Sequence, residues 1–296
     1  MKKILFLLLT LSSALVTAET ISVTHKLGNI TLESTPKKVV VIGLGALDTL
    51  DYFGITPIAV SKGISYPPYL EQYNSDKFAS SGTVFEPDFE AIYNMKPDLI
   101  VVGIRSSKSY KELSEIAPTL LFAIDEQESY WESTQKQWKN IATVFDLESE
   151  VTNTINTLDK QIKEIHNKNT EHKTDALTIM SSGGNITTFG AQSRFASIYQ
   201  DFGYLETIIN VKGSRHGDLV SYEFIQDAQP STLLIIDRDK LVNKGESKTR
   251  EQFENPLIKA TPAYKNKHMI FLDLNAWYLS IAGVNATKQM IKDLTL

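Results

Sequence analysis

The chain has 296 residues, 42% of them hydrophobic, a formal charge of −5 and no cysteine. The acidic balance, with no basic run, argues against nucleic acid as a partner. Without disulfides, stability has to come from a hydrophobic core, which a chain of this length can bury as one large domain or as two lobes.

Lys2 and Lys3, the apolar run Ile4–Val16 and the small residues Val16-Thr17-Ala18 read as a secretory signal cleaved after Ala18. That run is too short to span a bilayer, which takes roughly 20 residues of helix. With no cysteine for lipid attachment, the mature chain, residues 19–296, is expected free in solution after export. Losing two lysines takes its charge to near −7. A site for an anion must then be made by local positive charge.

Short β-branched runs alternate with helical stretches through the rest of the chain. The expected strands are Lys38–Ile42, Pro57–Val60, Asp98–Gly103, Thr119–Ile124, Ala176–Met180, Thr232–Ile236 and His268–Leu272. Several are unbroken apolar runs, as in parallel strands buried on both faces. The expected helices are Ala46–Phe53, Asp88–Asn94, Lys108–Ile116, Ser129–Phe145, Phe195–Phe202, Glu223–Ala228 and Asn285–Leu294. This alternation predicts an α/β fold with mostly parallel sheets.

Between Asp146 and His166 there is neither Pro nor Gly, and Leu147, Val151, Ile155, Leu158, Ile162 and Ile165 form one apolar stripe at helical spacing. Asp146 can cap this helix, and the polar run His166–Thr174 is expected to end it. With α/β sequence on either side, it reads as a spine. The expected organisation is an N-terminal lobe over 19–145, a connecting helix over 146–168 and a C-terminal lobe over 169–296.

An internal echo supports two lobes. Glu90 is followed by Pro97 and Arg105, and Glu223 by Pro230 and Arg238, at identical spacings. Each segment reads as a short helix, a Pro turn, a buried strand and an Arg just past the strand. Ligands of open α/β sheets bind beyond the carboxyl ends of the strands. Arg105 and Arg238 are therefore expected in a shared cleft, with Glu90 and Glu223 at the opposite ends of their units, on the outer surface.

Enzyme signatures are weak. Gly43-Leu-Gly45 follows a strand but lacks the third glycine of a dinucleotide fingerprint and reads as a tight turn. Ser181–Asn185 could offer backbone amides to an anion, though a plain loop is the simpler account. The cations carry more information. Arg105, Arg194 and Arg238 fall at loop positions around the expected cleft, and Arg215 sits beside His216. Guanidinium, always charged and fork-shaped, suits an oxygen-rich anion. Tyr278 lies beyond the last strand, and Fe(III) accepts phenolate oxygen and imidazole. One His and one Tyr cannot fill six coordination sites, but they could complete a shell that a tetradentate ligand leaves open. On the residues alone, a loop histidine and a packed aromatic remain the simpler readings. His25, His166, His172 and His268 show no metal-ligand spacing.

The stretches Thr35-Pro-Lys-Lys-Val-Val-Val-Ile-Gly43, Pro87-Asp-Phe-Glu90, Lys96-Pro-Asp-Leu-Ile100, Gly213-Ser-Arg-His216-Gly, Val220-Ser-Tyr-Glu223 and Asn275-Ala-Trp-Tyr278 resemble the iron-siderophore solute-binding proteins of ABC importers. Within that family the chain is most similar to periplasmic receptors for ferric catecholates. The resemblance implies two Rossmann-like lobes joined by one long helix, a class III periplasmic binding protein, with no catalytic turnover and modest closure on binding. It implies that Arg105, Arg194 and Arg238 neutralise the ferric catecholate and that His216 and Tyr278 ligate iron. It also implies that Glu90 and Glu223 dock onto arginines of an inner-membrane ABC permease. Fe(III) would arrive only as the siderophore complex, to a protein with no cofactor of its own. The absence of cysteine points to a Gram-negative periplasm, and the expected unit is a monomer. A haem, cobalamin or hydroxamate receptor is the nearest alternative, and a periplasmic hydrolase a remote one. The loops Ser61–Tyr69 and Asn243–Glu251 are candidates to line or cover the cleft.

Overall fold

The computed structural model describes residues 20–208, 217–243 and 245–295; the expected signal segment, Arg215 and His216 lie outside them. A hairpin of β1 (Ile21–His25) and β2 (Gly28–Leu32) precedes the first lobe. Five strands follow: β3 (Val39–Ile42), β4 (Ala59–Val60), β5 (Ala79–Ser80), β6 (Leu99–Gly103) and β7 (Thr119–Phe122). They form a parallel sheet in the order β5-β4-β3-β6-β7. Strands β3, β6 and β7 bury almost every side chain, which is why their sequences are continuous apolar runs and do not alternate. Helices α1 (Leu44–Tyr52), α2 (Phe89–Met95), α3 (Tyr110–Ser114) and α4 (Tyr130–Phe145) complete the lobe.

The spine, α5, spans Glu148–His172, about 38 Å at 1.5 Å per residue. It ends four residues later than the expected boundary at 168. The polar run does not stop it because that run holds no Gly or Pro. Asn169 is buried there and donates to Phe202 O at 2.9 Å, and only Lys173, at φ 52°, turns the chain out of the helix.

The second lobe holds β8 (Asp175–Ser182), β9 (Asn185–Phe189), α6 (Ser197–Gln200), β10 (Leu205–Glu206), β11 (Asp218–Val220), α7 (Tyr222–Ala228) and β12 (Leu233–Asp237). Four single-turn helices come next: α8 (Asp239–Val242), α9 (Thr249–Gln252), α10 (Pro256–Lys259) and α11 (Pro262–Lys265). Then follow β13 (Met269–Leu272) and α12 (Val284–Leu294). The sheet order is β11-β9-β8-β12-β13, with β10 also on β8. Gly183 and Gly184, at φ 60° and 78°, make the two-residue β8–β9 hairpin turn, so Ser181–Asn185 is a hairpin, and Gly183 N already donates to Asp239.

The 169–296 segment does not stay in its own lobe. Helix α12 crosses back onto the first lobe, where buried Asp48 of α1 accepts the amides of Asn285 and Ala286, each at 2.9 Å. Gly45 explains the tight approach: a Cβ there would lie 1.9 Å from Ile281 O. The Gly43-Leu-Gly45 turn therefore serves packing between lobes. Among the described residues no helix is long and apolar enough to cross a membrane.

Candidate ligand-binding cleft

The echo is structural. Asp88 caps α2 through Ala91 N, and Ser221 caps α7 through Phe224 N. Both helices end on a left-handed residue, Lys96 and Gln229, each at φ 49°, with Pro97 or Pro230 next. Each unit then enters an interior strand, β6 or β12, and delivers its arginine past the carboxyl end.

Those arginines meet. The guanidinium carbons of Arg105, Arg194 and Arg238 lie 5.7, 4.4 and 5.7 Å from the ring centre of Tyr278. One cation comes from the first lobe and two from the second. Tyr278 sits in a single π-helical turn, Asn275–Leu279, a rare geometry often found at functional sites. Buried Trp277 anchors that turn by donating to Asp293 at 2.9 Å. Arg105 reaches across to the carbonyls of Tyr278 (2.7 Å) and Leu279 (3.4 Å), and Arg238 donates to Ser182 Oγ at 3.0 Å.

Among the described residues no carboxylate pairs with Arg194 or Arg238, and the buried Nε of Arg238 has no hydrogen-bond partner. Like charges gathered this way repel, so the arrangement favours an incoming anion. It also acts on Tyr278. Burial pushes the phenol upward, but Arg194 and Arg238, then Arg105, outweigh it and hold the group below its ordinary range. A phenol so placed gives up its proton to a hard metal ion more readily.

Beside this cluster lies a cavity of about 400 Å³, in the range of small-ligand sites. Both lobes line it: Ile104, Arg105 and Phe122 from the first, Arg194, Phe195 and Trp277 from the second. Glu126 and Glu128 border it as well, beyond the carboxyl end of β7. The rule that found Arg105 applies equally to this loop and to Phe122, so both were within reach of the sequence. Neither Ser61–Tyr69 nor the described part of Asn243–Glu251 contributes to the lining. Instead Tyr69 turns its hydroxyl inward onto Asp48 at 2.9 Å. Among the described residues no group of three His, Asp or Glu is placed to hold a metal ion.

Glu90 and Glu223 are exposed, in the first turns of α2 and α7. Their expected position at the far ends of the units needs correction. A helix joining parallel strands runs antiparallel to them, so it starts at their carboxyl edge. Ser106, next to Arg105, accordingly donates to Val84 O at 2.7 Å in the loop that leads into α2. Strand β11 runs in the sense of β8 and β12, being antiparallel to β9, so α7 also starts at this edge. Both carboxylates thus lie on the sheet edges that carry the arginines.

Two α/β lobes on a helical spine, with a cationic cleft at the facing strand ends, define a solute-binding protein. The periplasmic binding protein family matches residues 39–276, and the chain belongs to it. It is 57% identical to the periplasmic catecholate-siderophore binding protein VctP from Vibrio cholerae, covering 93% of this chain and 99% of that one at a TM-score of 0.90. It is 37% identical over 279 residues to the petrobactin-binding protein YclQ of Bacillus subtilis, covering 93% of this chain and 87% of the relative. It is 30% identical to the ferric-anguibactin-binding protein FatB of Vibrio anguillarum, covering 93% and 86%.

Proposed function

We propose that the protein captures a ferric catecholate siderophore between its lobes, in the periplasm, and delivers it as a monomer to an inner-membrane ABC permease. The observation that carries this reading is the convergence of Arg105, Arg194 and Arg238 on Tyr278. Ferric catecholates are anionic and oxygen-rich, the ligand class that three guanidiniums suit. The names of the relatives, VctP above all, point to the same cargo. The expected signal segment at 1–18 supports export to the periplasm.

Tyr278 is assigned as an iron ligand when the siderophore leaves coordination sites open, with His216 as its partner. Tyr278→Phe keeps the ring, and so the guanidinium stacking, but removes the oxygen. Combined with His216→Ala, it is expected to weaken a ferric bis-catecholate about tenfold or more. A hexadentate tris-catecholate, whose shell is full, should change by less than about threefold. Intrinsic-fluorescence titration of the mature protein reads both. Equal losses for the two complexes would remove direct coordination from the account, and no quenching by either at micromolar concentration would remove the cargo.

A further inference from the structure

Glu90 does not stand alone at the start of α2. Eight large hydrophobic side chains are exposed among the described residues, and three of them fall within the nine residues Phe85–Tyr93. Phe85 is 66% exposed, Tyr93 65% and Phe89 38%. Scattered apolar residues on a surface need no explanation, but a cluster marks a contact. Phe89 and Tyr93 lie one helical turn apart, and Tyr93 is three residues on from Glu90, so the helix presents them together.

Phe85 is not exposed through looseness. It tips a fully bonded turn: Thr83 N donates to Glu86 O at 2.9 Å, and Thr83 Oγ1 accepts from the amides of Phe85 and Glu86. Gly82 takes φ +92° at the base, where a Cβ would lie 2.4 Å from Glu86 O. The neighbouring Val84 lines the cleft, and its carbonyl is held by Ser106. The aromatic group is therefore built rigidly onto the rim through which the ligand enters and leaves. A partner that takes the ligand from this cleft has to cover that rim.

We infer that Phe85, Phe89 and Tyr93 form an apolar anchor on the first lobe that seats against the ABC permease beside the cation meeting Glu90. The inference rests on the delivery proposed above and on the docking role that the family resemblance implies for Glu90 and Glu223. Among the described residues within five positions of Glu223, one large hydrophobic side chain is exposed: Leu219, at 73%, four residues before it. The two carboxylates match between lobes while their apolar surroundings do not, so the anchor strengthens one half of the contact.

The test replaces the chromosomal copy with the Phe85→Ser/Tyr93→Ser variant and, separately, with Glu90→Ala/Glu223→Ala. Cellular uptake of radiolabelled iron as a ferric bis-catecholate is measured, alongside fluorescence titration of each purified protein. The aromatic variant should lose about tenfold in uptake, the scale of an aromatic hot spot, with affinity for the complex unchanged. If the glutamate variant loses uptake and the aromatic variant does not, the anchor is wrong and the docking role stands. If both transport normally, the docking role falls and the anchor with it. Normal uptake combined with loss of vesicle binding or of self-association would assign the patch to lipid or to a second copy, and would overturn the proposal.

Discussion

Replacing Arg194 or Arg238 with methionine is expected to weaken a ferric tris-catecholate by about tenfold to a hundredfold, and replacing both by about a thousandfold. A negative charge about 5 Å from a guanidinium gains roughly 3 kcal/mol at an effective dielectric near 20, and partial solvation of the cleft reduces that figure. Three doubly charged catecholates around Fe(III) leave a triple negative charge, whereas two leave a single one. The arginine substitutions should therefore cost the tris complex more than the bis complex, the reverse of the order expected for Tyr278→Phe. The losses should shrink at high salt, and a neutral ferric hydroxamate should be indifferent. Among the described residues no carboxylate offsets the repulsion between Arg194 and Arg238, and Arg238 carries an unpartnered buried Nε, so their removal should leave melting temperature unchanged or raised. Arg105 differs because it holds the carbonyls of Tyr278 and Leu279, so Arg105→Met should lower both affinity and melting temperature. Wild-type affinity for the tris complex in the Arg194/Arg238 double variant would defeat the electrostatic account.

Much of this site was legible because its logic is local. A left-handed cap, a proline, a five-residue buried strand and an arginine follow one another within ten residues, and the spacing of Glu, Pro and Arg could be read in both copies of the unit. Direction in space was harder. Fifteen residues separate Glu90 from Arg105, but helix and strand double back, so the two ends of the unit return to one sheet edge. The C-terminal helix shows the same limit. Its periodicity says that one face is buried, while only the fold reveals that Asp48 and Gly45 of the other lobe receive it. The antiparallel strands β9 and β11 carry weaker signals than the buried parallel runs, because Asn185, Thr187, Asp218 and Leu219 face outward or sit at the edge. The shift on Tyr278 needs three side chains from distant loops, and no spacing encodes it. His216, the other expected iron ligand, lies outside the described residues.

Asp48→Ala should cost on the order of 4 kcal/mol, about 10 °C in melting temperature for a chain of this size. The reason lies in how α12 begins. Its capping position is Gly283, which has no side chain and no room for one, since a Cβ would lie 2.2 Å from Asp48 Oδ2. The cap comes instead from the other lobe. Asp48 accepts the amides of Asn285 and Ala286, the Asn285 side chain at 3.0 Å and the Tyr69 hydroxyl at 2.9 Å. Truncation strands four donors, the Ala286 amide fully buried and the other three partly so; a buried unsatisfied donor costs about 1–3 kcal/mol, and solvent access to the rest lowers the total. The same carboxyl should give the lobe contact a pH dependence. Burial pushes it from 3.8 up to about 6, the four hydrogen bonds restraining the rise. Between those values the folded protein keeps a proton that the unfolded chain has released, so stability falls as pH rises and the loss is complete above about 6. At roughly 1.4 kcal/mol per pH unit the loss is on the order of 3 kcal/mol. Asp48→Asn cannot titrate, and its amide opposes the Ala286 N–H, so it should be less stable than wild type throughout. Its deficit should narrow by that amount between pH 4 and pH 7 in urea unfolding. A deficit that stays constant or widens over this range would show that the carboxylate is charged in the folded protein at every pH tested, and that the lobes are joined by an ionised cap.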